Sequence, residues 1–147
     1  MRLAEITHEF VDSIPEHLDE GRLYISIRYR TASHLCACGC GSKVVTPIKP
    51  AKWNLTFDGD TVSLCPSIGN WQKACRSHYW IRNDTIIWAR AWSDREIESG
   101  RQRDAHELRQ YYQHRAVIDA PPQTTARPGL LSRVSFDWLL RLLKRHP

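Results

Sequence analysis

Over the first 92 residues, apolar and polar positions alternate in short runs separated by turn residues. That is the period of half-buried strands rather than of helices. Tyr24-Ile25-Ser26-Ile27-Arg28-Tyr29 alternates after the turn signal Asp19-Glu20-Gly21. Trp53-Asn54-Leu55-Thr56-Phe57 alternates as well, and Asp58-Gly59-Asp60 supplies a short reversal into Thr61-Val62-Ser63-Leu64, which predicts a hairpin. A second hairpin is expected from His78-Tyr79-Trp80-Ile81, turning at Arg82-Asn83-Asp84 and returning through Ile86-Ile87-Trp88-Ala89. Leu3 to Val11 is a weaker strand candidate.

The pattern changes at Ser93. Ser93-Asp94-Arg95-Glu96 has the form of a capping box, a hydroxyl followed three residues later by a carboxylate. It predicts a helix over about 94–112, with Gly100 costing roughly 1 kcal/mol relative to alanine. Residues 119–129 carry Pro121, Pro122, Pro128 and Gly129 and read as a linker. Beyond it, Phe136, Leu139, Leu140 and Leu143 fall at helical spacing. The expected organisation is a β domain with a capping helix over residues 1–118, the linker, and an amphipathic helix over 130–147. The fold class is mainly β (α+β): antiparallel hairpins or a meander followed by C-terminal helices.

Composition adds one domain's worth of core: 147 residues, 41% hydrophobic, with six tryptophans to carry aromatic packing. The formal charge of +5 is spread along the chain, with Lys and Arg interspersed among Asp and Glu, so a dense basic stripe for nucleic acid is missing. No apolar run approaches the ~20 residues of a membrane span. The N-terminal Met1-Arg2-Leu3-Ala4-Glu5 has no apolar signal segment, and a cytoplasmic location is expected.

Five cysteines, Cys36, Cys38, Cys40, Cys65 and Cys75, argue against a disulfide framework by their odd number. Three of them fall within Cys36-Ala37-Cys38-Gly39-Cys40-Gly41, a glycine-containing turn suited to a tetrahedral metal knuckle. Cys75-Arg76-Ser77-His78 offers a second half from a distant loop. Candidate ligands are Cys36, Cys38, Cys40, Cys75, His78 and His34, of which four close a structural site. Zinc suits this set better than an iron–sulfur cluster. Cys65 lacks ligand spacing and is expected in the core. Buried, inert cysteines are the ordinary alternative.

Ser67 lies where the chain leaves a strand, next to Ile68-Gly69, and His78 opens the following strand. If those strands pair, serine and imidazole can meet as nucleophile and base. Ser77 is a poorer partner, because adjacent strand residues point to opposite faces. A turn hydroxyl is the ordinary reading of Ser67. His78 cannot serve both metal and serine, so its direction is decisive.

His34-Leu35-Cys36-Ala37-Cys38-Gly39-Cys40-Gly41, Pro66-Ser67-Ile68 and Cys75-Arg76-Ser77-His78-Tyr79-Trp80-Ile81 together resemble the uncharacterised bacterial domain family numbered 6527. The resemblance covers roughly residues 14–92. Members of that family are encoded beside ubiquitin-like proteins and their activating and conjugating enzymes, in operons some of which are linked to phage defence. It implies that the chain makes, trims or reverses a ubiquitin-like conjugate, with those proteins as partners. It marks Cys36, Cys38, Cys40 and Cys75 for a structural Zn2+, and Ser67, Ser77 and His78 for chemistry. The function expected is a zinc-stabilised serine peptidase acting on a ubiquitin-like protein. The alternative is a non-catalytic zinc-ribbon adaptor that binds that protein or its enzymes, with nucleic-acid binding the weakest reading.

Overall fold

The computed structural model describes residues 1–119. The expected helix over 130–147, and all but the first residue of the expected linker, lie outside the described residues. The chain forms two four-stranded sheets and then a helix, a mainly β fold with α+β character.

The first sheet has the order β1 (Thr7–Phe10), β2 (Arg22–Ser26), β3 (Thr31–Leu35), β4 (Lys43–Pro47). β1 runs parallel to β2, and the other pairs are antiparallel. The second sheet is an antiparallel meander of β5 (Asn54–Phe57), β6 (Val62–Gly69), β7 (His78–Arg82) and β8 (Thr85–Trp88). Both expected hairpins are therefore present. β3 and β4, which flank the cysteine-rich turn, were not foreseen. The N-terminal segment ties the sheets together, since Ile6 N–H donates to Asp84 C=O and Ile86 N–H to Ala4 C=O, each at 2.8 Å.

One hydrophobic cluster serves both sheets. Leu23, Ile25, Ala32 and Val44 from the first meet Val62, Leu64, Ile68, Tyr79, Ile81 and Ile86 from the second. Burying side chains of this kind is worth ~1.5–3 kcal/mol each for the larger ones. In β6, Val62 and Leu64 point inward, so Cys65 falls on the outer face and is exposed. This corrects the expectation of a core thiol, and the two-residue period is the reason.

β6 is irregular where it matters. Leu64 pairs with Ile81 and Ile68 with Tyr79, so four residue steps on β6 oppose two on β7. The surplus is a bulge holding Cys65, Pro66 and Ser67, with a cis bond between Cys65 and Pro66. Bulges re-aim side chains, and this one carries Ser67.

The helix α1 (Asp94–Ile118) starts with the expected capping box: Ser93 accepts from Glu96 N–H, and Glu96 accepts from Ser93 N–H. It runs past the expected end because neither glycine nor proline occurs between Tyr112 and Asp119. Among its described side chains and glycine, Ile97 and Gly100 are the buried positions. A Cβ at Gly100 would lie 3.1 Å from Trp92 Cζ3, so glycine here lets the helix settle close against that indole. Its first turn is also held by ion pairs of Asp94 with Arg76 and of Glu96 with Arg90. No described helix is long and apolar enough to cross a membrane.

Candidate functional site: a serine–histidine pair beside a cysteine cluster

Ser67 and His78 come together through the β6–β7 pairing. His78 stands opposite Gly69, and Ser67, two residues earlier on the bulged strand, reaches it diagonally. Ser67 Oγ and His78 Nε2 are 2.9 Å apart. The serine is half-buried and the histidine buried. His78 therefore faces the serine.

The histidine is walled by three indoles. Its ring centroid lies 4.8 Å from that of Trp71, 4.9 Å from Trp92 and 5.3 Å from Trp80. Trp71 and Trp92 are themselves stacked, at 5.4 Å. Burial in this box lowers the pKa of His78, an effect opposed by the Arg90 main chain and reinforced by the Arg90 charge. The imidazole is thereby kept neutral, the form in which Nε2 can take a proton. Its Nδ1 is buried and makes no hydrogen bond of normal length, although the Arg90 main chain lies near enough to act on the ring. Among the described residues, then, no carboxylate holds the far side of the ring. Asp58, near in sequence to the hairpin, is engaged elsewhere: it caps its own turn by accepting from Asp60 and Thr61 N–H.

The pair lies in a cleft of about 480 Å³. One wall is the approach to β5, with Lys52, Trp53 and Asn54, and the other is α1, with Gly100, Arg101 and Asp104.

Cys36, Cys38, Cys40 and Cys75 form the second cluster, their four sulfurs all within 4.8 Å of one another. The β3–β4 turn delivers the first three: Gly39 N–H donates to Cys36 C=O and Cys36 N–H to Ser42 C=O. Gly39 has φ +79°, and a Cβ there would stand 2.7 Å from Met1 N, so only glycine fits the turn. Cys75 comes from the loop between β6 and β7. Neither His34 nor His78 belongs to the group. His34 instead bonds Tyr79 Oη through Nε2 at 2.7 Å.

The sulfur geometry fits a tetrahedral ion. Zn–S bonds of ~2.3 Å require S···S separations of ~3.8 Å, and Cys36 stands 3.3 Å from Cys38 and 4.0 Å from Cys75. The surroundings fit too. Ser77 Oγ lies 3.1 Å from Cys36 Sγ, and Asn70 Nδ2 donates to both, at 3.5 Å to the sulfur and 2.9 Å to the hydroxyl. Such outer partners orient metal-bound thiolates. Burial and the neighbouring thiols raise the Cys38 pKa, while the Ser42 hydroxyl lowers that of Cys40. Ser77 is thus turned toward sulfur, away from the His78 ring.

Sequence reasoning named Ser67, His78 and the four cysteines, and the fold brings each set together. It missed Asn70, the three indoles and the α1 wall. The tryptophan count was the available signal, but it carried no position.

A family model described as "Bacterial ubiquitination-like system serine protease (BubE)" matches residues 10–89. The chain belongs to the BubE family. The match spans β2 to β8 and includes Ser67, His78 and the four clustered cysteines. It agrees with the resemblance to a domain of ubiquitin-like conjugation operons. The family description indicates a serine-protease-like member of a ubiquitination-like system. No curated protein and no solved structure matches the chain.

Proposed function

We propose that this chain is a zinc-stabilised serine peptidase that cleaves after the C-terminal tail of a ubiquitin-like protein, to process it or remove it from a conjugate. The 2.9 Å contact between Ser67 Oγ and a buried His78 Nε2 carries the reading. Ser67 Oγ attacks the tail carbonyl while His78 Nε2 accepts its proton. The tetrahedral adduct collapses as His78 returns that proton to the leaving group. Water, deprotonated by the same nitrogen, then hydrolyses the acyl-serine and restores both side chains.

Cys36, Cys38, Cys40 and Cys75 would hold a zinc ion as four thiolates, and the ion's contribution is to cross-link the β3–β4 turn to the β6–β7 loop. A closed thiolate set suits a structural ion rather than one with an open position. Ser77 supports Cys36 in this scheme and takes no part in bond cleavage. The family match supports a place in a bacterial ubiquitination-like system, and action beside activating and conjugating enzymes in a defence operon is part of the proposal.

The test is Ser67→Ala against a ubiquitin-like protein fused at its tail to a reporter. Cleavage should fall by about three orders of magnitude or more, as for other activated nucleophiles. Unchanged turnover eliminates this serine. The unpartnered Nδ1 of His78 favours a second reading, a non-catalytic adaptor. A stable complex with the wild-type chain, with no cleavage on long incubation, would support it.

A further inference from the structure

The half of β6 that carries Ser67 has a strand on one side only. β5 pairs with Val62 to Cys65 and goes no further, whereas β6 continues to Gly69. Before Asn54 the chain turns away toward β4, with Trp53 N–H donating to Pro47 C=O. The space beside Ser67 to Gly69 is left as the cleft against α1.

The ladder fixes which main-chain groups face that space. Asn70 N–H donates to Ser77 C=O at 2.9 Å, so 70 and 77 are a hydrogen-bonded pair. In an antiparallel ladder the next pair, Gly69 and His78, is then of the non-bonded type. His78 agrees, since its carbonyl already accepts from Ala89 N–H on the β8 side at 2.9 Å. The N–H and C=O of Gly69 therefore point away from β7, into the cleft, where no strand meets them. Gly69 is exposed. Exposed edges are normally paired or covered, and here α1 shelters the edge while leaving about 480 Å³ beside it.

Trp71 closes the same place from the dyad face. A Cβ on Gly69 would fall 2.3 Å from Trp71 Nε1, so the indole occupies the position of the missing side chain. With Trp92 stacked on it, little depth remains next to Ser67.

Resting on the peptidase reading above, we infer that the substrate is an extended peptide that adds as a strand to the open edge of β6 at Ser67–Gly69, and that Trp71 limits the residue beside Gly69 to glycine or alanine. Main-chain bonds to Gly69 give register and the indole gives selectivity. The bulge shortens the open edge from Pro66 to Gly69, leaving room for a few substrate residues. Ser67 then lies against a main chain held flat, with its carbonyl within reach of Oγ.

The probes are tetrapeptidyl aminomethylcoumarins ending in Gly-Gly, Gly-Leu, Leu-Gly or Leu-Leu, each also made with one amide nitrogen methylated in turn, given to the full chain. One of the last two positions should prefer glycine over leucine by roughly tenfold or more in kcat/KM. Trp71→Ala should reduce that ratio several-fold whatever it does to the absolute rate, and Trp71→Phe should give an intermediate ratio. Methylation should abolish cleavage at one amide and be tolerated at the next, because successive amides of a strand face opposite sides. Equal cleavage of glycine and leucine peptides, or indifference to methylation throughout, overturns the inference. If Ser67→Ala abolishes that indiscriminate cleavage, the peptidase reading survives alone. Cleavage that persists in Ser67→Ala overturns the peptidase reading, and no cleavage of any probe by the wild type overturns both.

Discussion

Removing a zinc ion held by the four cysteines should cost the domain its fixed packing, and the geometry says how much is at stake. The four sulfurs tie position 36 to position 75 across three whole strands, β4 to β6, and their turns. Treated as a simple cross-link, a closed loop of that length restricts the unfolded chain by about 4 kcal/mol. The bonds themselves add to this, and structural zinc sites of this donor type contribute about 10–16 kcal/mol in small domains. Small folded domains retain only about 5–15 kcal/mol in total. The ion would thus supply an amount comparable to the whole margin. The hydrophobic cluster shared by the two sheets should leave a partly compact but poorly fixed chain. Elemental analysis of purified protein should give one zinc per chain. A strong chelator should lower the melting temperature by tens of degrees at slow scan rates, and Cys75→Ser should behave like the chelated wild type. Tryptophan fluorescence reports directly, since Trp71 precedes Cys75 by four residues and packs on His78. Melting of the purified protein that is the same with and without chelator, and the same in Cys75→Ser, would refute the reasoning.

Three further outcomes follow from individual side chains. Because burial lowers the His78 pKa below 6.5, kcat/KM should fall on acidification through one ionisation centred below pH 6.5; an acid limb centred above 6.5 would contradict the neutral, desolvated base. The sign for stability is the same, since the fold favours the unprotonated ring and loses stability as the pH drops below the unfolded value. Tyr79→Phe removes the partner of His34 Nε2 while His34 Nδ1 is already unpaired, leaving a buried imidazole without a hydrogen bond. It should cost about 1–3 kcal/mol in urea unfolding, and a cost near zero would mean that the ring finds another partner. Cys65→Ala should leave zinc stoichiometry and melting unchanged, because Cys65 is exposed on the outer face and lies outside the sulfur group; loss of metal in that variant would redraw the site.

The sequence made some of this legible and hid the rest for physical reasons. The β5–β6 hairpin stands out because Leu55, Val62 and Leu64 alternate with polar residues around a short turn, and the β7–β8 hairpin because two aromatic and β-branched runs flank Arg82-Asn83-Asp84. β3 does not, since its buried centre is Ala32, Ser33 and His34, three residues with little apolar contrast. The cysteine cluster could be read because ligand spacing is local within one turn, and Cys75 is the remaining thiol with a polar loop around it. That Ser67 meets His78 depended on the bulge between Leu64 and Ile68, which two residues of surplus create and no residue type announces. The α1 wall was illegible for a different reason: its cleft-facing Arg101 and Asp104 look like any solvated helix surface.

Ser77 and His78 explain why a structural ion would matter to chemistry in which it takes no part. They are neighbours at the start of β7, and the alternation of a strand turns them to opposite faces. Ser77 accordingly meets Cys36 and Asn70 on one face, while His78 meets Ser67 and the indoles on the other. Fixing the sulfurs fixes Ser77, and fixing Ser77 sets the main chain from which the imidazole projects. Asn70 repeats the link one residue beyond Gly69, donating its side chain to Cys36 and its N–H to Ser77 C=O. The two ends of the β6–β7 connection are thus both held from the metal side. A displacement of about 1 Å there would break a 2.9 Å hydrogen bond and cost about a hundredfold in rate. Activity should therefore decline at chelator concentrations that leave far-ultraviolet circular dichroism unchanged, and a strictly parallel loss of both would mean that the two sites share only their stability.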